Sequence, residues 1–578
     1  MRLTNAIIFL LCFTSGSYGH TYNFDANEKD ANSRSIFNHT YNISKICMDH
    51  IREYETSIWN GETWALQMLD ASAKLPSSGI LSANWIYLGD FDTCLSINHK
   101  TEILGKVLSW CLGIPFRNAL AHETRMVTPD GAPIGIFAVC LPDSCSAEDF
   151  QEYYKSKLFK LSFFESLCTS KSSKPKLDAG DIATISFLSA ILYIILMSTG
   201  YEIFTLYMKR KPLHPILTAF SLVINTKKLL QTTDAGQIPC LHGIRVISTM
   251  WVILGHRYNT AISIPYINPT SFNEWLLEKQ SMIIMGATVS VDTFFLLSGL
   301  LISYGFLIAT AKGIKFNIFV YYLHRFLRLT PLLAALVLIH ATVLKHLGSG
   351  PLWNLMITSI SQPCKTYWWS TLLYIQNYVN AEEPCIPQTW YLSVDTQLFL
   401  LSPLILLPLK HWPRIGLAIT GVLTGCSIVA CFTIGWIYEL FGFMMANRDT
   451  TPYTKHCYYQ PHTRAGPWLI GIILGYIIFE IKQKHRKISI NVLLSVLLWL
   501  VSSAILLACV FTGQNMLEAT YVYNKFTNVI YIALMRPGWA LGVSWVIFAC
   551  ITGHGAKSPQ LKDQTAKPEE SLENVGTS

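Results

Sequence analysis

From residue 181 to about residue 555 the chain is a succession of apolar runs near twenty residues long, broken by short polar stretches. Runs of that length match the hydrocarbon thickness of a bilayer. Backbone N–H and C=O groups find no water in lipid, so each run is predicted to be a helix. Nine spans are expected, at about 182–208, 241–262, 282–304, 329–344, 390–409, 415–440, 468–481, 490–511 and 532–552. The fourth and seventh are short for a crossing. Residues before 181 show a different pattern. Ile58, Trp64, Leu66 and Leu69 recur at helical spacing between residues 57 and 74, and Pro129, Asp130 and Pro133 mark turns. The fold class expected is therefore a polytopic α-helical membrane protein of about nine spans. Its N-terminal domain is expected to be extracellular, disulfide-bonded, mixed and mostly helical.

Composition sharpens this division. Of 578 residues, 51% are hydrophobic and 14% charged, with a net charge of +8. A soluble domain carries about 25% charged residues. Residues 1–180 hold 35 charged side chains, whereas the 375 residues from 181 to 555 hold only 38. This excludes a disordered chain, a coiled coil and a basic nucleic-acid binder, so no nucleic-acid partner is expected.

The opening MRLTNAIIFLLCFTSGSYGH has Arg2, a short apolar run from Ala6 to Phe13, and small residues Ser17 and Gly19. It reads as a secretory signal peptide over residues 1–19. Sequons at Asn38 and Asn42 are the expected glycosylation sites. Six cysteines follow, Cys47, Cys94, Cys111, Cys140, Cys145 and Cys168, and an even count in a secreted domain reads as a disulfide framework. Their pairing is open, since six cysteines allow 15 connectivities. No CxxC pair occurs among them and no histidines are spaced with them, so no metal is expected. Cys364 and Cys385 are candidates for a further bridge in a long loop, and Cys457 is an unpaired candidate in another. Cys426, Cys431, Cys509 and Cys550 lie in spans as small apolar residues.

With the first domain outside, alternating the spans places 16 of the body's 25 basic residues on the cytosolic side. That bias agrees with the positive-inside rule and accounts for most of the net charge. The divisions expected are a signal peptide at 1–19, an extracellular six-cysteine domain at 20–180, a first span at 181–208, a cytosolic linker at 209–240, a membrane domain at 241–554 and a disordered cytosolic tail at 555–578. The protein is expected to be multi-pass, in the plasma or a secretory-pathway membrane, with its N-terminus outside and its C-terminus in the cytosol.

Ionisable groups inside spans are costly and are candidate functional groups by default. Arg245 and His256 stand eleven residues apart in CLHGIRVISTMWVILGH. On a helix that is about three turns and ~16 Å, so they share a face. A low-dielectric surrounding favours the neutral imidazole, the form a general base needs. Asp292, in VDTFFLLSGLL, needs a partner, either a basic residue such as Arg257 or backbone. Arg325 and Arg328, at i and i+3 in YYLHRFLRLTP, read as a pair at the cytosolic boundary that suits phosphate or lipid headgroups. Asp395 lies in TWYLSVDTQLFLLSP and points inward.

GETWALQMLDASAKLPSSGILSANWIYLGDFDTCL and CLPDSCSAEDF closely resemble the extracellular domain of the nose-resistant-to-fluoxetine family. CLHGIRVISTMWVILGH, VDTFFLLSGLLISY, RFLRLTP, WYLSVDTQLFLLSP, TRAGPWLIGIILGY and RPGWALGVSWVIFAC resemble the acyltransferase type 3 domain joined to it. The resemblance implies an integral-membrane acyltransferase that takes an acyl group from cytosolic acyl-CoA to a hydroxyl acceptor near the outer face. It implies His256 and Asp395 as catalytic, and Arg245, Arg325 and Arg328 as the residues that hold the CoA phosphates. Family members continue past ACITGHG with further spans, whereas this chain turns to a Lys-, Glu-, Ser- and Pro-rich tail. A C-terminally shortened and inactive form is thus one expectation. The rival reading is a carrier or uptake protein for lipids or lipophilic compounds, without acyl chemistry. A weaker third is a receptor-like or scaffolding role for the disulfide domain. Membrane lipids and a small lipophilic or hydroxyl-bearing acceptor are the expected partners.

Overall fold

The structure is a computed structural model. It describes residues 43–74, 79, 84, 86–97, 99, 109–115, 136–155, 161–163, 165, 168–170, 175–231, 238–263, 268–444, 449–484, 488–518 and 520–555. The expected signal peptide, the sequons at Asn38 and Asn42, the turns at 129–133 and the tail beyond residue 555 lie outside the described residues.

The N-terminal domain begins with α1 (Lys45–Trp59), whose first turn is capped by the Ser44 side chain accepting from the Cys47 amide at 3.3 Å. The helix expected across 57–74 is in fact broken. Asn60 and Gly61 turn the chain, with Gly61 at φ +74°, and α2 (Thr63–Ala71) starts afresh. Only glycine adopts that φ without strain. Next come β1 (Ile86–Tyr87), α3 (Phe91–Ser96), β2 (Ser109–Pro115), β3 (Ile136–Leu141), α4 (Ala147–Lys155), β4 (Leu161–Phe163) and β5 (Thr169–Ser170). The strands form one sheet in the order β1-β3-β2-β4, with β5 also pairing β2. β1 runs parallel to β3, and β2 pairs antiparallel with β3, with Trp110 opposite Cys140. Helical periodicity did not reveal this sheet, because its strands are only two to seven residues long.

Disulfides join Cys47 to Cys145 and Cys94 to Cys140, so each ties a helix to the sheet region. Cys168 is also disulfide-bonded, and the side chain of Cys111 lies outside the described residues. Met68, Ala71, Phe91, Ala138 and the Cys94–Cys140 bridge make the core of the domain, against which Leu352 and Leu355 from the membrane body pack.

Among the described residues, seven helices are long and apolar enough to cross a membrane. They are α5 (Ala179–Tyr207), α9 (Ser281–Ala311), α10 (Ile318–Ala341), α14 (Pro413–Ile437), α15 (Pro461–Gln483), α16 (Val492–Leu517) and α17 (Lys525–Thr552). Between them lie α6 (Leu222–Leu230), α7 (Cys240–Ser263), α8 (Pro269–Leu276) and α11 (Trp353–Leu372). α12 (Trp390–Leu401) and α13 (Pro403–His411) meet at a 40° bend. Pro403 has no amide hydrogen to continue the ladder, which explains the break. If that pair is one span the count is eight. The remaining expected span is α7, which has 24 residues but is too polar to pass with the others. The two spans expected to be short are full length, because α10 and α15 begin 11 and 7 residues before their apolar runs.

The tightest seam in the body joins α9 to α15. A Cβ on Gly299 would lie 2.0 Å from the Trp468 carbonyl oxygen, and one on Gly471 would lie 2.2 Å from that of Leu296. Small residues let two helix backbones touch in this way, which gains van der Waals contact where lipid provides no hydrophobic drive. Gly471→Val is expected to cost at least about 3 kcal/mol, because the obstacle is backbone and no side chain can rotate away. A thermal unfolding midpoint in detergent equal to that of the wild type would contradict this.

A polar latch joins the start of α5 to the turn that follows α10. Asp178 and Asp181 form a reciprocal cap at the start of α5. Lys345 donates to Asp178 at 2.7 Å and lies 2.9 Å from Asp181, and His346 Nε2 is 2.9 Å from Asp181. The hydrogen bond from Lys345 holds the Asp178 carboxyl below its ordinary range. Cys364 and Cys385 are bridged, which ties the middle of α11 to the segment leading into α12.

Candidate active site

Arg245 and His256 both lie on α7. Their eleven-residue spacing gives a rise of ~16 Å and returns to within about 20° of the same face. Ser248 between them is buried. The helix is seated on α9 by Gly255, where an added Cβ would fall 2.6 Å from the Ala287 Cβ. Trp251 Nε1 donates to the Ile283 carbonyl at 2.5 Å, and its ring centroid lies 5.6 Å from that of Trp539. Thr260 Oγ1 donates to the His256 carbonyl at 3.0 Å. These contacts fix the height and rotation of the half-buried His256 on the bundle.

Arg325 and Arg328, expected on one helix face at the cytosolic boundary, do lie on one helix. α10 begins at Ile318, with Asn317 capping Phe319 and Val320, so Arg325 is two turns inside the helix. It can enter a span because Asp395 on α12 pairs with it directly. The other Asp395 oxygen accepts from Ser298 Oγ on α9 at 2.6 Å. The guanidinium also lies 4.4 Å over the Phe399 ring, and Tyr321 stacks on that ring at 4.3 Å. Arg325 Nε is buried and has no hydrogen-bond partner among the described residues. Arg328, three residues on, is exposed. Tyr391 lies within Coulombic reach of Asp395, Arg325 and Arg245, and Arg245 within reach of Arg328. The structure therefore brings Arg245, Arg325, Arg328 and Asp395 into one electrostatic neighbourhood, drawn from three helices.

The partner of Asp292 is a basic residue, as one expectation had it, but it is Arg464 and not Arg257. Arg464 on α15 donates from Nη1 to both Asp292 oxygens, at 2.9 and 3.0 Å. Both residues are almost fully enclosed. Arg464 Nε donates to the Tyr458 carbonyl at 3.0 Å, and the guanidinium lies 4.1 Å over the Tyr458 ring. Arg257 is exposed and plays no part in this pair. A second buried arginine, Arg536 on α17, donates to the Tyr453 hydroxyl at 3.2 Å and lies 3.4 Å from Cys457 Sγ and 3.9 Å from Cys431 Sγ. In the sequence Cys431 is a small residue of an apolar run and Cys457 an unpaired cysteine of a loop. The π-helical turn Thr454–Tyr458 brings them together at Arg536. Arg464 and Arg536 both lay in motifs with visible charges inside apolar runs, so the signal for them was present.

Among the described residues no group of three or more His, Cys, Asp or Glu side chains could hold a metal ion. Residues 238–558, more than half the chain, match the model of the acyltransferase domain. The chain belongs to this acyltransferase family. Residues 47–154 match the N-terminal domain of nose resistant-to-fluoxetine protein. Among similar proteins, nose resistant to fluoxetine protein 6 of Caenorhabditis elegans is 26% identical over 574 residues, covering 85% of this chain and 68% of the relative. The regulator of hypoxia-inducible factor 1 of the same organism is 24% identical, covering 47% of this chain and 57% of the relative. A Staphylococcus aureus (strain COL) protein provisionally named an O-acetyltransferase is 23% identical, covering 46% of this chain and 39% of the relative. No solved structure matches. The acyltransferase family, the apolar helices and the disulfides together describe a polytopic membrane protein of an acyl-transferring class.

Proposed function

We propose that this acyltransferase family member moves an acyl group from cytosolic acyl-CoA to a hydroxyl acceptor, with the disulfide domain on the outer side of the membrane. The observation that carries the reading is that Arg245, on the His256 face of α7, shares one electrostatic neighbourhood with Arg325, Arg328 and Asp395. Three guanidiniums against one carboxylate suit a polyanionic donor such as the phosphate-bearing end of CoA. His256, about three turns away on the same face, takes the acceptor proton as the hydroxyl oxygen attacks the thioester carbonyl. The carbon–sulfur bond breaks, and the imidazolium returns the proton to the leaving thiolate. No covalent enzyme intermediate is required. Asp395 acts as a positioning residue in this scheme, because its oxygens are engaged by Ser298 and Arg325.

Arg328 is exposed and has its charge free for a donor, whereas Arg325 is committed to Asp395. Arg328→Ala is accordingly expected to raise KM for acyl-CoA roughly tenfold with kcat little changed, since one charge-assisted contact to phosphate is worth about 1.5–3 kcal/mol. The measurement is initial-rate transfer of labelled acyl groups in membranes containing the full chain. A fall in kcat at constant KM would place Arg328 outside donor binding. Absence of transfer above mock membranes would set aside the enzyme reading in favour of a carrier.

A further inference from the structure

Between α9, α15, α17 and residues 442–444, 453 and 458 lies a small cavity of about 20 Å3. Both buried arginines, Arg464 and Arg536, line it, along with Thr288, Tyr453 and Tyr458. Its volume exceeds the ~10–15 Å3 that one water molecule needs, so a monatomic ion fits and a substrate does not. Arg464 Nη2 and Arg536 Nε are buried and have no hydrogen-bond partner among the described residues. The two residues of fixed charge that line this space thus each carry an unsatisfied donor.

The charges around this space do not balance without Cys457. Arg464 is neutralised by Asp292, which also lies within Coulombic reach of Arg536. The two guanidiniums therefore share one carboxylate. The remaining contacts of Arg536 are the Tyr453 hydroxyl and the sulfurs of Cys431 and Cys457. Cys431 Sγ donates to the Thr463 carbonyl at 3.2 Å, and the Cys457 thiol is drawn down by its contact with Cys431 and by the Arg536 charge, so an ionised Cys457 is the protein group placed to balance Arg536. Wherever Cys457 keeps its proton, one positive charge remains uncompensated in this buried site, and it is that state that calls for an anion. An unpaired buried charge costs several kcal/mol, so a counter-charge is required.

We infer that the cavity between Arg464 and Arg536 is a binding site for a small monovalent anion of the halide class. Bound there, the anion accepts from Arg464 Nη2 and Arg536 Nε and closes the charge balance. Its effect is structural. It ties α15 to α17 and holds the 453–458 turn, whose Tyr458 carbonyl in turn grips Arg464.

The test uses the full chain in detergent, unfolded by heat in sodium bromide or in sodium gluconate at equal ionic strength. Bromide is expected to raise Tm by about 2 °C or more, with saturation, because only the folded state binds it. Crystals or particles prepared in bromide should show an anomalous or density peak between Arg464 and Arg536. Cys457→Ser, which cannot form a thiolate, should keep the bromide gain. Equal Tm in the two salts with no peak would overturn the proposal and leave a water molecule in the cavity. A bromide gain seen only in Cys457→Ser would overturn it as well, because the wild-type counter-charge would then be the Cys457 thiolate. Arg536→Met should abolish the gain. Should that variant not fold, the bromide peak and the Cys457→Ser result decide the matter.

Discussion

His256→Ala is expected to lower acyl transfer by roughly 10²–10⁴-fold while leaving the protein folded in the membrane, which is the usual contribution of a positioned general base. His256 is half-buried on a helix whose seat is made by other residues, so its loss removes a proton acceptor and little packing. A companion variant separates chemistry from position. Gly255→Val keeps the imidazole but drives a side chain into Ala287, where a Cβ alone would already be 2.6 Å away. Helix α7 must then move off α9 and carry His256 with it. A displacement near 1 Å can cost about 10²-fold in rate, so this variant should be impaired as well. Initial rates with labelled acyl-CoA, normalised to the amount of chain in the membrane, measure both. Equal rates for wild type and His256→Ala would remove His256 from the mechanism. If His256→Ala alone is inactive and Gly255→Val is normal, α7 has more freedom than its contacts indicate.

The second large effect concerns stability. Arg464→Met is expected to destabilise the protein by about 3–5 kcal/mol, since it strands the Asp292 carboxylate in a buried site. Arg464 also loses its donation to the Tyr458 carbonyl and its place over the Tyr458 ring. Arg464→Lys should be little better. An ammonium cannot reach both carboxylate oxygens and the carbonyl with a planar fork. Combining Arg464→Met with Asp292→Leu removes both charges, and much of the lost stability should return. Thermal unfolding of the three variants in one detergent is the measurement. A single variant as stable as the wild type would show that Asp292 is satisfied elsewhere or is protonated.

The spans were legible because their signal is crude and repeated, namely twenty residues without charge. Their ends were not. Ile318 to Arg328 carries two arginines and a histidine and so reads as lying before the span, until Asp395, 70 positions after Arg325, is seen to pair with it. A still longer separation in sequence hid the partner of Asp292, which is 172 residues away at Arg464. Both charges were visible in apolar runs, and the rule that buried charges pair would have joined them without a structure. The cluster at Arg536 was harder, since cysteines in spans ordinarily read as small apolar residues. In the N-terminal domain, the Asn60-Gly61 pair was an available turn signal that periodicity overrode. The convergence of Arg245, Arg325, Arg328 and Asp395 was expected only through the family resemblance. No spacing rule connects helices α7, α10 and α12.

The seam between α9 and α15 also sets where this sequence is free to vary. Gly299, Gly471 and Gly475 each face a neighbouring carbonyl oxygen at 2.0–2.5 Å from where a Cβ would stand. Drift at these positions is closed to every larger residue, whatever its polarity. Helix α5 is the opposite case, with only 11% of its apolar window buried in the protein. Leucine, isoleucine, valine and phenylalanine should interchange there almost freely, because lipid is an undemanding neighbour. Mutational history in this chain will therefore be written on the outside of the bundle and kept out of its centre line.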